Sequence, residues 1–263
     1  MIKLIVTDMD GCFLNNNKQP HPQSLDLIQQ CIDKGIHFTV ASGRSFPSVK
    51  SFFEPVLDHI TLICDNGAFI YHRGKEFSVT PILESDVALS IESSLNLDGV
   101  TPILSDPQQA YMQRNDQLRP EVLEDIKNYY PILDTVDNLQ NYTHNIIKIA
   151  CYDEKGAEYN CYPVLKEIPK ASSVLLSADV WVDVINPLVN KGAAVNKLQS
   201  HLNIQPEQTA VFGDYLNDLE MILSSTHSFA PKGAHPQIKA LASTVIGDNN
   251  DWSVYHTILS LIQ

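Results

Sequence analysis

The sequence predicts an α/β protein, a parallel-sheet core interrupted by an inserted α+β module. Three observations predict it. The first third alternates short apolar runs with amphipathic stretches, and the last third does the same. Between them the alternation gives way to strand-like runs in neighbouring pairs. The 263 residues, 44% hydrophobic and 19% charged, are enough for one large domain or two modest ones with packed cores.

Each element can be justified in turn. KLIVTD reads as a short buried strand. SLDLIQQCIDK places Leu25, Ile28 and Ile32 at helical spacing, and Gly35 follows as a stop. IHFTVA is the next strand, a short helix follows around Pro47 to Phe53, and HITLIC is a third strand. Strands alternating with helices imply parallel βαβ units. GAFIYHRGKEFSV then reads as a hairpin turning near Arg73 and Gly74.

The middle of the chain reads differently. A helix in ESDVALSIESSLNL precedes strands in GVTPILSD and AYMQR. A helix in PEVLEDIKNYY, a strand in NIIKIACYD and a helix in GAEYNCYPVLKEI follow, and SSVLLSA and WVDVIN close the module as strands. Alternation returns with GAAVNKLQSHL as helix, QTAVFGD as strand, DLEMILSS as helix and HSFAP as strand. PQIKALA is a helix, STVIGD a strand and SVYHTILSLI the closing helix. The expected organisation is a core of residues 1–83 and 187–263 with residues 84–186 inserted.

The net charge of −13 argues against broad binding to nucleic acid or to an anionic membrane. Any anionic ligand therefore needs a local device such as a metal ion, a lysine or a helix N-terminus. No apolar run approaches the ~20 residues that span a bilayer. The run from Ile2 to Val6 meets Asp8 too soon for a signal peptide. The five cysteines are dispersed with no CxxC pair, which fits reduced thiols and a cytoplasmic location.

Three runs end at polar residues just after an expected strand: Asp8, Ser42 and Asp214. Parallel strands share one carboxyl edge, where ligands bind in α/β sheets, so these residues should converge. Lys191 opens the helix of the third segment on the same side. Asp8 and Asp214 make a hard, all-oxygen, anionic site suited to Mg2+. Ser42 and Gly43 stand where a helix can start, offering a hydroxyl and backbone N–H groups. Metal, lysine and N–H donors around one point describe a phosphoryl site, where catalysis is positioning and charge neutralisation. Gly11 lets the chain turn so that Asp10 leans over the reacting centre beside Asp8. A nucleophilic carboxylate and a second acting as general acid and base make a workable pair. A lone Asp at a strand end is ordinarily a turn or cap residue; the pair, with GDYLND later in the chain, argues otherwise.

DMDGCFL, the SGR at Ser42 to Arg44, Lys191 in NPLVNKGAA, and GDYLND from Gly213 to Asp218 resemble the four ordered motifs of the haloacid dehalogenase-like phosphatases. The KG pair, NGA at Asn66 to Ala68 and the insertion after it look like the Cof-type sugar phosphatase branch. The resemblance implies a Rossmann-like core with an inserted α+β cap that closes over the substrate and sets its specificity. It implies Asp8 as the nucleophile that forms an aspartyl-phosphate and Asp10 as the proton shuttle. Mg2+ would be held by Asp8, the Asp10 backbone carbonyl and Asp214, with Asp218 behind them or reaching the metal through a water. Ser42, Gly43, Lys191 and Asn217 would hold the phosphoryl oxygens, with the Met9 N–H nearby. The sequence departs from the family at Cys12, where a threonine is usual, and in FAPKGAHPQIKALA, where an MGNA-like wording is usual. Asn66 reads as a hairpin-turn residue.

The expected activity is Mg2+-dependent hydrolysis of small phosphorylated metabolites, sugar phosphates foremost. Which metabolite, and what oligomer forms, are left open. A phosphotransferase or mutase could pass the same aspartyl-phosphate to a hydroxyl. A phosphate-responsive regulator is the non-enzymatic alternative, because fold does not dictate function.

Overall fold

The computed structural model describes residues 1–167 and 172–263. The first strand, β1 (Leu4–Thr7), is buried along its whole length. It lies between two parallel neighbours, which explains an unbroken apolar run in place of alternation. A tight turn over Met9–Phe13 leads towards α1 (Ser24–Asp33). This helix buries Leu27, Ile28 and Cys31, whereas Leu25, expected on the inner face, is exposed. β2 (His37–Ala41), α2 (Phe46–Phe53) and β3 (Thr61–Cys64) follow. β4 (Phe69–His72) and β5 (Lys75–Val79) make the expected hairpin. Arg73 and Gly74 turn it with φ of 47° and 84°, the left-handed pair that a two-residue loop requires.

Next come α3 (Glu84–Leu95), β6 (Val100–Ser105), β7 (Ala110–Gln113) and α4 (Pro120–Tyr129). β8 (Leu133–Val136) was not expected; Asp134 and Thr135 are exposed, LDTV carries no apolar alternation, and the strand joins the sheet edge by pairing in parallel with β7. β9 (Lys148–Asp153) is central. The helix expected over GAEYNCYPVLKEI shortens to α5 (Tyr162–Leu165). Pro163 has no N–H and belongs in a first turn. The chain before it is instead held by the Asp153 carboxylate, which accepts from the backbone N–H of Lys155 and Cys161 at 3.0 Å each. Ile168, the end of that expected helix, lies outside the described residues. β10 (Ser173–Ala178) and β11 (Trp181–Ile185) pair antiparallel.

The last third carries α6 (Lys191–Leu202), β12 (Thr209–Phe212), α7 (Leu219–Leu223), β13 (His227–Ala230), α8 (Pro236–Leu241), β14 (Thr244–Val245) and α9 (Ser253–Ile262).

These elements form two compact units. One comprises Met1–Gly43, Val49–Ser78 and Asn190–Gln263. Its eight-stranded sheet has the order β14-β13-β12-β1-β2-β3-β4-β5. The pairs from β14 to β3 are parallel and β3 pairs antiparallel with β4. One core cluster packs Leu4, Val6 and Val211 of the sheet against Val195 and Leu198 of α6 and Met221 and Ile222 of α7. The other unit comprises Arg44–Ser48 and Val79–Val189. Its six-stranded sheet has the order β10-β11-β9-β6-β7-β8. Val87 and Ile91 of α3 pack with Leu104, Ile149 and Val184, and Val122 and Ile126 of α4 pack with Ile103, Met112 and Ala150. The alternation of Ile103 with Leu104 and of Ile149 with Ala150 puts these two clusters on opposite faces of the sheet.

Among the described residues no helix is long and apolar enough to cross a membrane. All five cysteines are buried, and none forms a disulfide among the described residues.

Candidate active site

The first unit places β1, β2 and β12 side by side and parallel, so Asp8, Ser42 and Asp214 leave the sheet at the same edge. The Asp8 N–H donates to the Phe212 carbonyl at 2.9 Å, which ties the end of β1 to the end of β12. Gly11 has φ of 78°, open to glycine at little cost. A Cβ there would also run into the Asp214 carboxylate. The glycine is therefore needed twice, for the turn and for the approach of Asp214.

Lys191 enters from α6. Asn190 caps that helix, its side-chain oxygen accepting from the Ala193 N–H at 2.7 Å. Gly192 lets α6 press on the backbone of Glu220 in α7, with no room for a Cβ. This packing delivers a fully buried ammonium that donates to Asp8 Oδ1 at 2.5 Å and to Asp218 Oδ1 at 2.7 Å. Asp218 is itself fully buried, and its second oxygen accepts from the backbone N–H groups of Asp214 (2.9 Å) and Tyr215 (3.2 Å). Asp218 thus orients both Lys191 and the loop that carries Asp214.

One ligand atom from each of Asp8, Asp214 and Asp218 lies within 4.8 Å of the others. Three carboxylates and one lysine leave excess negative charge in a buried place. Burial raises Asp8 well above the usual carboxylate range; Lys191 opposes this, and Asp218 and Asp214 add to it. Asp214 is pushed up to about 7, first by burial and then by Asp218. Burial works against the Lys191 ammonium, but Asp218 and Asp8 outweigh it and raise its pKa. An all-oxygen donor set with excess negative charge fits Mg2+.

The other expected residues take varied places. Asp10 is outside this buried group, with a partly exposed carboxylate that accepts from Lys18 Nζ at 2.8 Å. Met9 is buried and its carbonyl accepts from the Leu14 N–H at 2.8 Å. Ser42 is buried, but it does not open a helix, because α2 begins only at Phe46. Its N–H already donates to the Ile63 carbonyl at 2.8 Å, which corrects the expectation of a helix N-terminus there. Asn217 is exposed, in a short turn over Leu216–Asp218, and its amide nitrogen donates to Asn66 Oδ1 at 3.0 Å. Cys12 is buried with Sγ 3.8 Å from Thr7 Oγ1. Burial, then the carboxylates of Asp8, Asp214 and Asp218, push its thiol well above the ordinary range.

Sequence reading missed Lys18 as a partner of Asp10, and it took Asn66 for a turn residue alone. Asn66 and Gly67 are both at positive φ, 56° and 106°, where asparagine and glycine are tolerated. Nothing in one sequence points to the partner of the Asn66 amide.

A family model described as haloacid dehalogenase-like hydrolase matches residues 5–258. The chain is 30% identical over 265 residues to the 5-amino-6-(5-phospho-D-ribitylamino)uracil phosphatase of Escherichia coli, covering 98% of this chain and 95% of that protein. A haloacid dehalogenase-like hydrolase from Bacteroides thetaiotaomicron superposes with a TM-score of 0.89 at 18% identity, covering 99% of this chain and 100% of that one. A sugar phosphatase described as HAD subclass IIB superposes with a TM-score of 0.82 at 17% identity, covering 99% and 100%. At these identities the two superpositions show a shared fold.

Proposed function

This chain belongs to the haloacid dehalogenase-like hydrolase family and is an enzyme of it, and we propose that it is a Mg2+-dependent, cytoplasmic phosphatase of small phosphorylated metabolites, sugar phosphates foremost. The observation that carries this reading is the buried Lys191 ammonium between Asp8 and Asp218, with Asp214 beside them at the carboxyl edge of the sheet. The Escherichia coli relative is named for a phosphorylated ribityl compound, and we extend only the class, a phosphate monoester of a polyhydroxylated metabolite.

In the proposed reaction an Asp8 carboxylate oxygen bonds to phosphorus as the ester P–O bond breaks. Asp10 gives its proton to the departing oxygen. Asp10 then takes a proton from water, the water oxygen bonds to phosphorus, and the bond to Asp8 breaks to release inorganic phosphate. Lys191 steadies Asp8 and neutralises phosphoryl charge; Ser42, Gly43 and Asn217, with the Met9 N–H, hold phosphoryl oxygens. Asp8, the Asp10 carbonyl and Asp214 would hold Mg2+, which supplies positive charge against the carboxylates and the phosphate. Asp218 stands behind them, because both its oxygens are already engaged by Lys191 and by the Asp214 and Tyr215 N–H groups. We assign substrate choice to the inserted module, residues 84–186.

The test is phosphate release from p-nitrophenyl phosphate with and without Mg2+, followed by a panel of phosphorylated metabolites. Turnover should need Mg2+, vanish in Asp8→Asn and be highest on sugar phosphates. Turnover that survives Asp8→Asn, or a wild type inert on every ester, defeats the proposal.

A further inference from the structure

We infer that Asn66 is a positioning residue for the phosphoryl group, holding the Asn217 amide and the Ser42–Gly43 peptide in one arrangement. This inference rests on the phosphatase reading and on the role proposed there for Asn217. Asn66 stands between β3 and β4, and in a connection of that kind the side chain of a left-handed residue is dispensable; glycine would serve the backbone as well. Here the side chain is engaged. Asn66 Oδ1 accepts from Asn217 Nδ2 at 3.0 Å across 151 residues of sequence. The Asn66 N–H donates to the Ser42 carbonyl at 3.0 Å. Its amide also lies flat against Gly43, where a Cβ would stand 3.2 Å from Oδ1 and 3.3 Å from Nδ2. One residue therefore links the loops that follow β2, β3 and β12.

The arrangement has a cost that a simple turn would avoid. Asp65 and Asn66 are both left-handed, at φ of 47° and 56°. Asp and Asn tolerate that region better than other side chains do, but glycine occupies it at less cost. The return is preorganisation. Asn217 is exposed, and an exposed amide rotates freely. With one of its two amide hydrogens held by Asn66, the other has a defined direction when a phosphoryl oxygen arrives. Ordering a polar side chain on binding costs about 0.5–1.5 kcal/mol, which this contact removes beforehand.

The experiment is a double-mutant cycle on Asn66→Gly and Asn217→Ala, using p-nitrophenyl phosphate as substrate and inorganic phosphate as inhibitor. Asn66→Gly keeps the left-handed backbone and deletes the side chain with its amide. It should lower kcat/KM about 5-fold and weaken phosphate inhibition about 5-fold, the size of one hydrogen bond. In the Asn217→Ala background it should change neither. A loss of equal size in both backgrounds would show a merely structural Asn66, and no loss in either would equally overturn the inference. If the wild type hydrolyses no ester, the phosphatase reading fails by itself. Direct titration of the same four proteins with inorganic phosphate still reads the coupling, and its absence there overturns the inference.

Discussion

Replacing Lys191 by methionine keeps the side chain's length and deletes the ammonium that Asp8 and Asp218 share. Lys191 is fully buried and 2.5 and 2.7 Å from its two acceptors. Two unit charges about 4 Å apart interact by about 4 kcal/mol at an effective dielectric constant of about 20. Removing one partner of a buried pair leaves its charge uncompensated and costs about 3–5 kcal/mol. The cost should fall within that range at neutral pH: one lysine serves two carboxylates, but burial already pushes Asp8 towards its protonated form, which limits the stranded charge. The assay is urea unfolding of the metal-free protein at pH 7.5. It is best done in a Trp181→Phe background, where Trp252 reports on the unit that holds the site. Adding Asp218→Asn to Lys191→Met removes one of the stranded charges and should recover about half of the loss. A single variant within 1 kcal/mol of wild type, or a double variant less stable than the single one, would refute the electrostatic account.

Gly11→Ala should lower activity far more than stability. The left-handed backbone costs about 1–2 kcal/mol, but the new methyl group displaces Asp214, and a shift of about 1 Å in such a site costs on the order of 100-fold in kcat/KM; equal kinetics would show that Asp214 needs no fixed place. His72 is lowered to about 4, by burial first and then by Arg73 and neighbouring basic groups, and its Nδ1 is 2.7 Å from Thr61 Oγ1. The unfolded chain therefore binds the extra proton first, so stability is complete above about pH 6.5 and is lost as pH falls towards 4, by at most about 3 kcal/mol; subtracting the curve of His72→Gln should isolate that slope, and a pKa near 6.5 by NMR would contradict it. Cys12→Thr should keep or modestly raise activity, since the side chain only braces Thr7, and the buried, raised thiol should resist iodoacetamide at pH 8. Rapid alkylation of the folded protein, or a large loss of kcat, would point to another role.

How far the site was legible depends on what kind of information each residue carries. Asp8, Ser42 and Asp214 could be placed without coordinates, because each ends an apolar run and parallel strands leave no choice about where their ends point. Gly11 was legible from local backbone need, and it has positive φ. The helix start expected at Ser42 failed because a β-type bond to the Ile63 carbonyl claims its N–H, a contact made across the sheet. The long helix expected over 156–168 failed because periodicity cannot register the Asp153 carboxylate that gathers the loop before Pro163. β8 was invisible because only its two ends, Leu133 and Val136, pack on the core, and LDTV has no apolar alternation.

The sequence by itself determined the alternation of strand and helix, the edge to which the acids are carried, and the family, all of which follow from short-range pattern and motif order. The tertiary structure alone decided which carboxylates share Lys191, that Asp218 has both oxygens committed, and that Asn66 reaches Asn217. The physical reason is that a hydrogen bond is set by distances of about 3 Å between atoms whose residues are 27, 151 or 183 positions apart. Only the packing of α6 on α7 and of the strand-end loops on one another brings such atoms within reach, and no local pattern records it.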